Sequence, residues 1–156
     1  MITAINKDCS MDVSSSRIAS TIGIALVAFT YPLSAFAQIQ VTANVTGFTS
    51  QSGNAIFVLY DGKKGFASDL DTAVSLQTLP IQGAGVSATF DGLKDSDYAL
   101  FVFHDEDNNG EFKTNWIGFP KEGAGNSNNH QGMPSFAKSS FNPAVVDTLD
   151  IEMWYP

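Results

Sequence analysis

From residue 39 onward the chain is patterned in steps of two, and this restricts its fold more than any other feature. Ile39, Val41, Ala43 and Val45 alternate with Gln40, Thr42, Asn44 and Thr46, as in a strand with one face in a core and the other in water. Val86, Ala88 and Phe90 alternate with Ser87 and Thr89. Leu149, Ile151 and Met153 alternate with Asp150, Glu152 and Trp154 in a last strand. Two runs, 54–60 and 98–104, are apolar on both faces and read as central strands. A weaker run at 74–81 contains Pro80, which suits an edge position. Turn residues separate these runs, at 47–53, at 61–65 and at Asp91-Gly92, and Phe66 anchors a helical turn over 66–70. No stretch sustains a 3.6-residue apolar period. The pattern predicts an all-β chain, a single antiparallel β-sandwich of about seven strands, with no internal repeat.

The first 37 residues have a different character. Arg17 precedes an apolar run, 18–29, that is short for a bilayer span, and Ala35-Phe36-Ala37 places small residues where a signal peptidase inspects them. Residues 1–37 therefore read as a signal peptide cut before Gln38, with Met11 as an alternative start. An uncleaved anchor fits less well, because Thr30, Pro32 and Ser34 break the run. The expected product is exported, periplasmic or extracellular, with no membrane span in its mature form. Residues 38–156 then form one sandwich domain with a long loop-rich insertion at about 105–143.

Residues 38–156 retain 14 of the 16 acids and 6 of the 8 bases, so the net charge stays at −8. Such a surface repels phosphate backbones and argues against nucleic acid as a partner. The single cysteine, Cys9, lies in the segment expected to be removed. That excludes a disulfide, a thiolate metal site and a cysteine nucleophile from the exported part.

The acidic stretch 105–111 concentrates the chemistry. Asp105, Asp107 and Asn109 carry oxygens at every second residue, Gly110 supplies a sharp turn, and the Glu111 carbonyl follows at the next ligand position of a Ca²⁺ loop. Phe112 falls where such loops place an apolar residue. The match then fails: Lys113 and Trp116 stand where an EF-hand needs its ninth and twelfth ligands, and no helices flank the loop. A Ca²⁺ site here needs a distant residue to complete it. The competing reading is a solvated hairpin turned by Asn109-Gly110.

The segment that follows contains Trp116, Phe119, Phe136 and Phe141. If exposed, these rings form a stacking platform for a sugar or peptide; if buried, they pin the segment to the sandwich. Residues 123–129 are rich in Gly and Asn and offer N–H groups to an anion, without a nearby arginine to support one. No Gly-x-Ser-x-Gly stretch is present.

The residues Leu93 to Ala99, after Phe90-Asp91-Gly92, resemble the turn-then-strand motif of transthyretin-like sandwich domains, in which a leucine packs inward and a tyrosine starts the next strand. Lys94, Asp95 and Ser96 replace the usual proline and glycine. More of the chain resembles the bacterial domain-of-unknown-function family 2141. The blocks are Gly65-Phe66, Phe103 to Asp107 with Asn109-Gly110, Asn115, Gly118 to Gly123, Ser127 to Asn129, Pro134 to Phe136, and Phe141. That resemblance implies an exported β-sandwich, transthyretin-like or Ig-like, with no activity established. It also implies an acid at Glu122, the expected distant ligand for Ca²⁺. Lys113 departs from it, since the family pattern implies an acid there. His104 and His130, the only histidines, make with Glu122 a conceivable two-histidine-one-carboxylate set. A strand-ending role for His104, bonded to the loop after it, is the simpler reading.

These readings converge on an exported, non-enzymatic β-sandwich module that binds a small molecule, glycan or protein, stabilised by Ca²⁺ at Asp105, Asp107, Asn109, Glu111 and Glu122. The alternative is a carbohydrate- or peptide-binding domain that uses Trp116 and Phe119, with His104 and His130 nearby. A hydrolase has the least support, because a sandwich of this size rarely carries a deep cleft.

Overall fold

The computed structural model describes residues 38–114 and 120–156. Residues 1–37, and with them the expected signal peptide, lie outside the described residues, as do Trp116 and Phe119. The described chain is almost entirely β. Its strands are β1 (Ile39–Thr46), β2 (Asn54–Tyr60), β3 (Ser75–Pro80), β4 (Gly85–Leu93), β5 (Tyr98–Asp105), β6 (Ala124–Asn126), β7 (Ser140–Phe141) and β8 (Thr148–Glu152). A 3₁₀ turn, Leu70–Thr72, and a four-residue helix, α1 (Phe136–Ser139), are the helical elements among the described residues.

Two sheets form a β-sandwich. The first has the order β4-β1-β8; the second runs β3-β2-β5-β6, with β7 also pairing to β5. Between them lies a core of alternate strand residues, including Val41, Val45, Phe57, Leu59, Phe90, Leu100, Val102 and Ile151. Fully burying a side chain of this kind contributes about 1.5–3 kcal/mol, so this row is the main source of stability.

Three features depart from the sequence reading. First, β8 runs parallel to β1, with Thr42 beside Thr148 and Val45 beside Ile151. The sandwich is therefore not wholly antiparallel, since alternation specifies which face is buried but not which way a neighbour points. Second, Asp91-Gly92 does not end β4. The register between β1 and β4 slips between Ile39 and Val41, and Gly92 has φ +68°, so the pair accommodates an extra residue as a bulge. Third, the loop-rich segment contributes two short strands, β6 and β7, both laid against β5.

These additions explain why β5 is buried along its whole length. Its inward side chains meet the first sheet. Its outward ones, Phe101 and Phe103, join Ile56, Val58 and Tyr60 in a second cluster covered by Phe66, Ala67, Leu70, Phe112 and Phe136 from loops. At the start of β5 the Tyr98 hydroxyl accepts the Lys94 N–H at 3.2 Å and so fastens the turn before the strand.

The Asn-rich loop after β6 is tied down by side-chain amides. Asn129 donates to the Asp150 carbonyl and accepts from the Glu152 N–H, so its amide acts as one more rung on the outer edge of β8. Asn128 donates to the carbonyls of Lys138 and Ser140, and Asn126 bonds the backbone of His130 through both its amide atoms. These asparagines hold backbone in place, a role that composition alone does not signal.

Candidate functional site

The acidic loop begins where β5 leaves the sheet. Asp105 is the last residue of that strand and only 2% exposed, and its carboxylate accepts the N–H groups of Asn109 (3.1 Å) and Gly110 (2.8 Å). The chain turns back through Asn108 (φ +57°) and Gly110 (φ +73°), so Asn108 shares the turn with the expected glycine. Gly53 packs against the strand end from the other side. A Cβ there would lie 2.0 Å from the Asp105 carbonyl oxygen, and its φ is +76°.

Three carboxylates converge. Oxygens of Asp105, Asp107 and Glu122 all lie within 4.8 Å of one another. Two of these residues come from the loop; Glu122 arrives from further along the chain, drawn in by a small ladder in which the Lys121 N–H donates to the Lys113 carbonyl and the Lys113 N–H donates to Glu122. Ligand bonds of about 2.3–2.6 Å let oxygens at that spacing share one Ca²⁺. Asn109 lies beside the cluster: its side-chain oxygen accepts the Glu111 N–H at 2.7 Å, and its amide nitrogen bonds Asp107. The Glu111 side chain is exposed and lines a neighbouring cleft.

Charge in the cluster is partly offset by Lys113, whose ammonium pairs with Asp107. That contact holds the Asp107 carboxyl below its ordinary value and raises the Lys113 ammonium above its own. Glu122 moves the other way. Partial burial pushes its carboxyl up, against the hydrogen bond from Lys113, and the charges of Asp105 and Asp107 add to the rise. A bound divalent ion would relieve both penalties.

The histidines stand apart from this cluster. His104 is fully buried, and its ring nitrogens bond the Tyr155 hydroxyl and the Ser52 carbonyl, each at 2.7 Å. Since Ser52 presents only an acceptor, Nε2 carries the proton and Nδ1 accepts from Tyr155. The ring thus braces the turn before β2 and the C-terminal segment by hydrogen bonds, while its Nδ1 stands 3.9 Å from the Glu106 carboxylate of the loop that follows. His130 is half-buried in the Asn-rich loop and held through its backbone. Phe141 belongs to the inter-sheet core and Phe136 packs edge-on to Phe66 at 5.9 Å, so these two rings pin the loop segment down.

The molecule is thus a β-sandwich with a group of three carboxylates at the loop leaving a central strand. A family model described as "Uncharacterized protein conserved in bacteria (DUF2141)" matches residues 43–148, and the chain belongs to that family. The matched span contains the acidic loop and Glu122. A search of curated proteins and a search of solved structures give no match.

Proposed function

We propose that the chain is an exported, non-enzymatic binding module whose acidic loop takes a divalent cation, Ca²⁺, between Asp105, Asp107 and Glu122. The observation that carries this reading is the approach of three carboxylates from two separate stretches of chain to within 4.8 Å of one another. Backbone N–H groups on Asp105 and Glu122 and the Lys113 ammonium on Asp107 offset part of their mutual repulsion, and a cation entering the site displaces the ammonium. Export rests on the character of residues 1–37.

Thermal unfolding with Ca²⁺ and with chelator tests the metal. Extracellular modules commonly bind Ca²⁺ with Kd about 10⁻⁴–10⁻³ M. A ligand of the native state at ten times Kd adds about 1.4 kcal/mol, which raises the midpoint of a domain this size by about 5 °C. Glu122→Gln and Asp107→Asn should each remove most of that rise. An unchanged midpoint in millimolar Ca²⁺ rejects the metal.

A further inference from the structure

On the outward face of the second sheet, beside the acidic loop, lies a cleft of about 610 Å³. That volume falls within the range of sites that bind small organic molecules. Its floor is apolar: Phe66, Leu70, Phe112 and Pro134 line it, and Met133, 56% exposed, stands at its rim. The rings are fixed from below. Phe112 packs on Phe101 at 4.9 Å and on Phe103 at 5.2 Å, and Phe66 contacts Phe101 at 6.2 Å. The floor is thus preformed, which lowers the cost of binding.

Two wall residues hold left-handed backbone, Gly110 at φ +73° and, less usually, Ala67 at φ +57°. A non-glycine residue kept in that region marks a conformation imposed by its surroundings.

Charge then narrows the choice of ligand. Glu111 is the one charged residue among the described lining, and Ser68 and Thr114 supply hydroxyls. Glu106 is turned away from the cleft, where its carboxylate accepts the Ser50 hydroxyl, so the charge at the rim is that of Glu111. The cleft therefore presents an aromatic floor under a negative rim, which repels anions and attracts cations.

We propose that this cleft binds a small organic cation with an apolar body, in particular a protonated aryl-alkyl amine, with the body on Phe66 and Phe112 and the ammonium at Glu111. The site uses the Glu111 carboxylate, which lies outside the three-carboxylate cluster, and it is tested without Ca²⁺.

Three probes of one shape and different charge test it on the full chain in chelator: 2-phenylethylamine, 2-phenylethanol and 3-phenylpropionate. The readout is the Met133 methyl resonance, assigned with Met133→Leu, with the buried Met153 methyl as the internal control. At millimolar concentration the amine should shift Met133 saturably and leave Met153 still. An exposed charge pair of this kind gives the amine up to about a fivefold advantage over the alcohol, and the carboxylate should bind least. Glu111→Gln should bring the amine down to the level of the alcohol without changing the alcohol. No shift of Met133 with any probe, equal binding of the carboxylate, or an amine advantage that survives Glu111→Gln each overturns the proposal.

Discussion

The two sheets share one core but treat their outward faces in opposite ways. On the first sheet that face is a polar ladder: Asn44 donates to Asp150, Ser87 donates to Asn44, and Thr42 meets Thr89. On the second sheet it is aromatic, Phe101 and Phe103 beside Tyr60, and it is covered by loops instead of water. A face left in solvent needs polar residues and little else. A face covered by irregular chain needs side chains to anchor the cover and partners for its backbone, and the Phe66, Phe112 and Phe136 rings and the Asn126 and Asn128 amides supply these. Both candidate sites lie in this covering layer, where the chain is free to vary while the sandwich beneath stays rigid.

The strongest test of that contrast removes one ring from each side of the second sheet. Phe57→Ala, in the inter-sheet core, should cost about 3–5 kcal/mol and unfold the molecule as a unit. Phe66→Ala should cost no more than the lower end of that range, and hydrogen exchange should speed up in 61–73 and 110–141 while β1 and β8 stay protected. Equal losses and uniform exchange would mean that the covering layer and the sandwich are one cooperative body. Asn129→Ala comes next, at about 1–2 kcal/mol for the amide rung on β8, read from the denaturant midpoint.

The smallest effect concerns pH. The Glu122 carboxyl titrates above its ordinary value of 4.5 in the fold, so without metal its contribution is fully present below that value and is lost as pH rises through the raised one. Glu122→Gln should flatten the midpoint against pH over that interval. An unchanged slope would place the strain elsewhere in the loop.

Period-two alternation was enough to locate β1, β4 and β8, and the doubly apolar runs marked β2 and β5 as central. The same doubly apolar runs implied that something covers the outward face, but not what. That cover comes from residues such as Phe112 and Phe136, scattered through a segment with no period of its own. The parallel pairing of β1 with β8 was equally invisible, because a half-buried strand reads alike in both directions.

At the site, the spacing of Asp105 and Asp107 was plain. Glu122 came from family resemblance, since nothing in its neighbourhood tells that a ladder to Lys113 would carry it back to the loop. The Asn109 oxygen accepts the Glu111 N–H two residues on, the local turn that asparagine favours and that the spacing of ligand positions passes over.

The parallel alignment of β1 and β8 also bears on how the molecule assembles. β1 is the middle strand of its sheet, and the partner of Asn44 on one side, Asp150, is 106 residues away. Closing so long a loop is slow, and until the C-terminal strand has been synthesised the Val41, Ala43 and Val45 row has an open flank. The nascent chain therefore carries a sticky, unfinished sheet for most of its synthesis, and a truncation before Thr148 would make that exposure permanent.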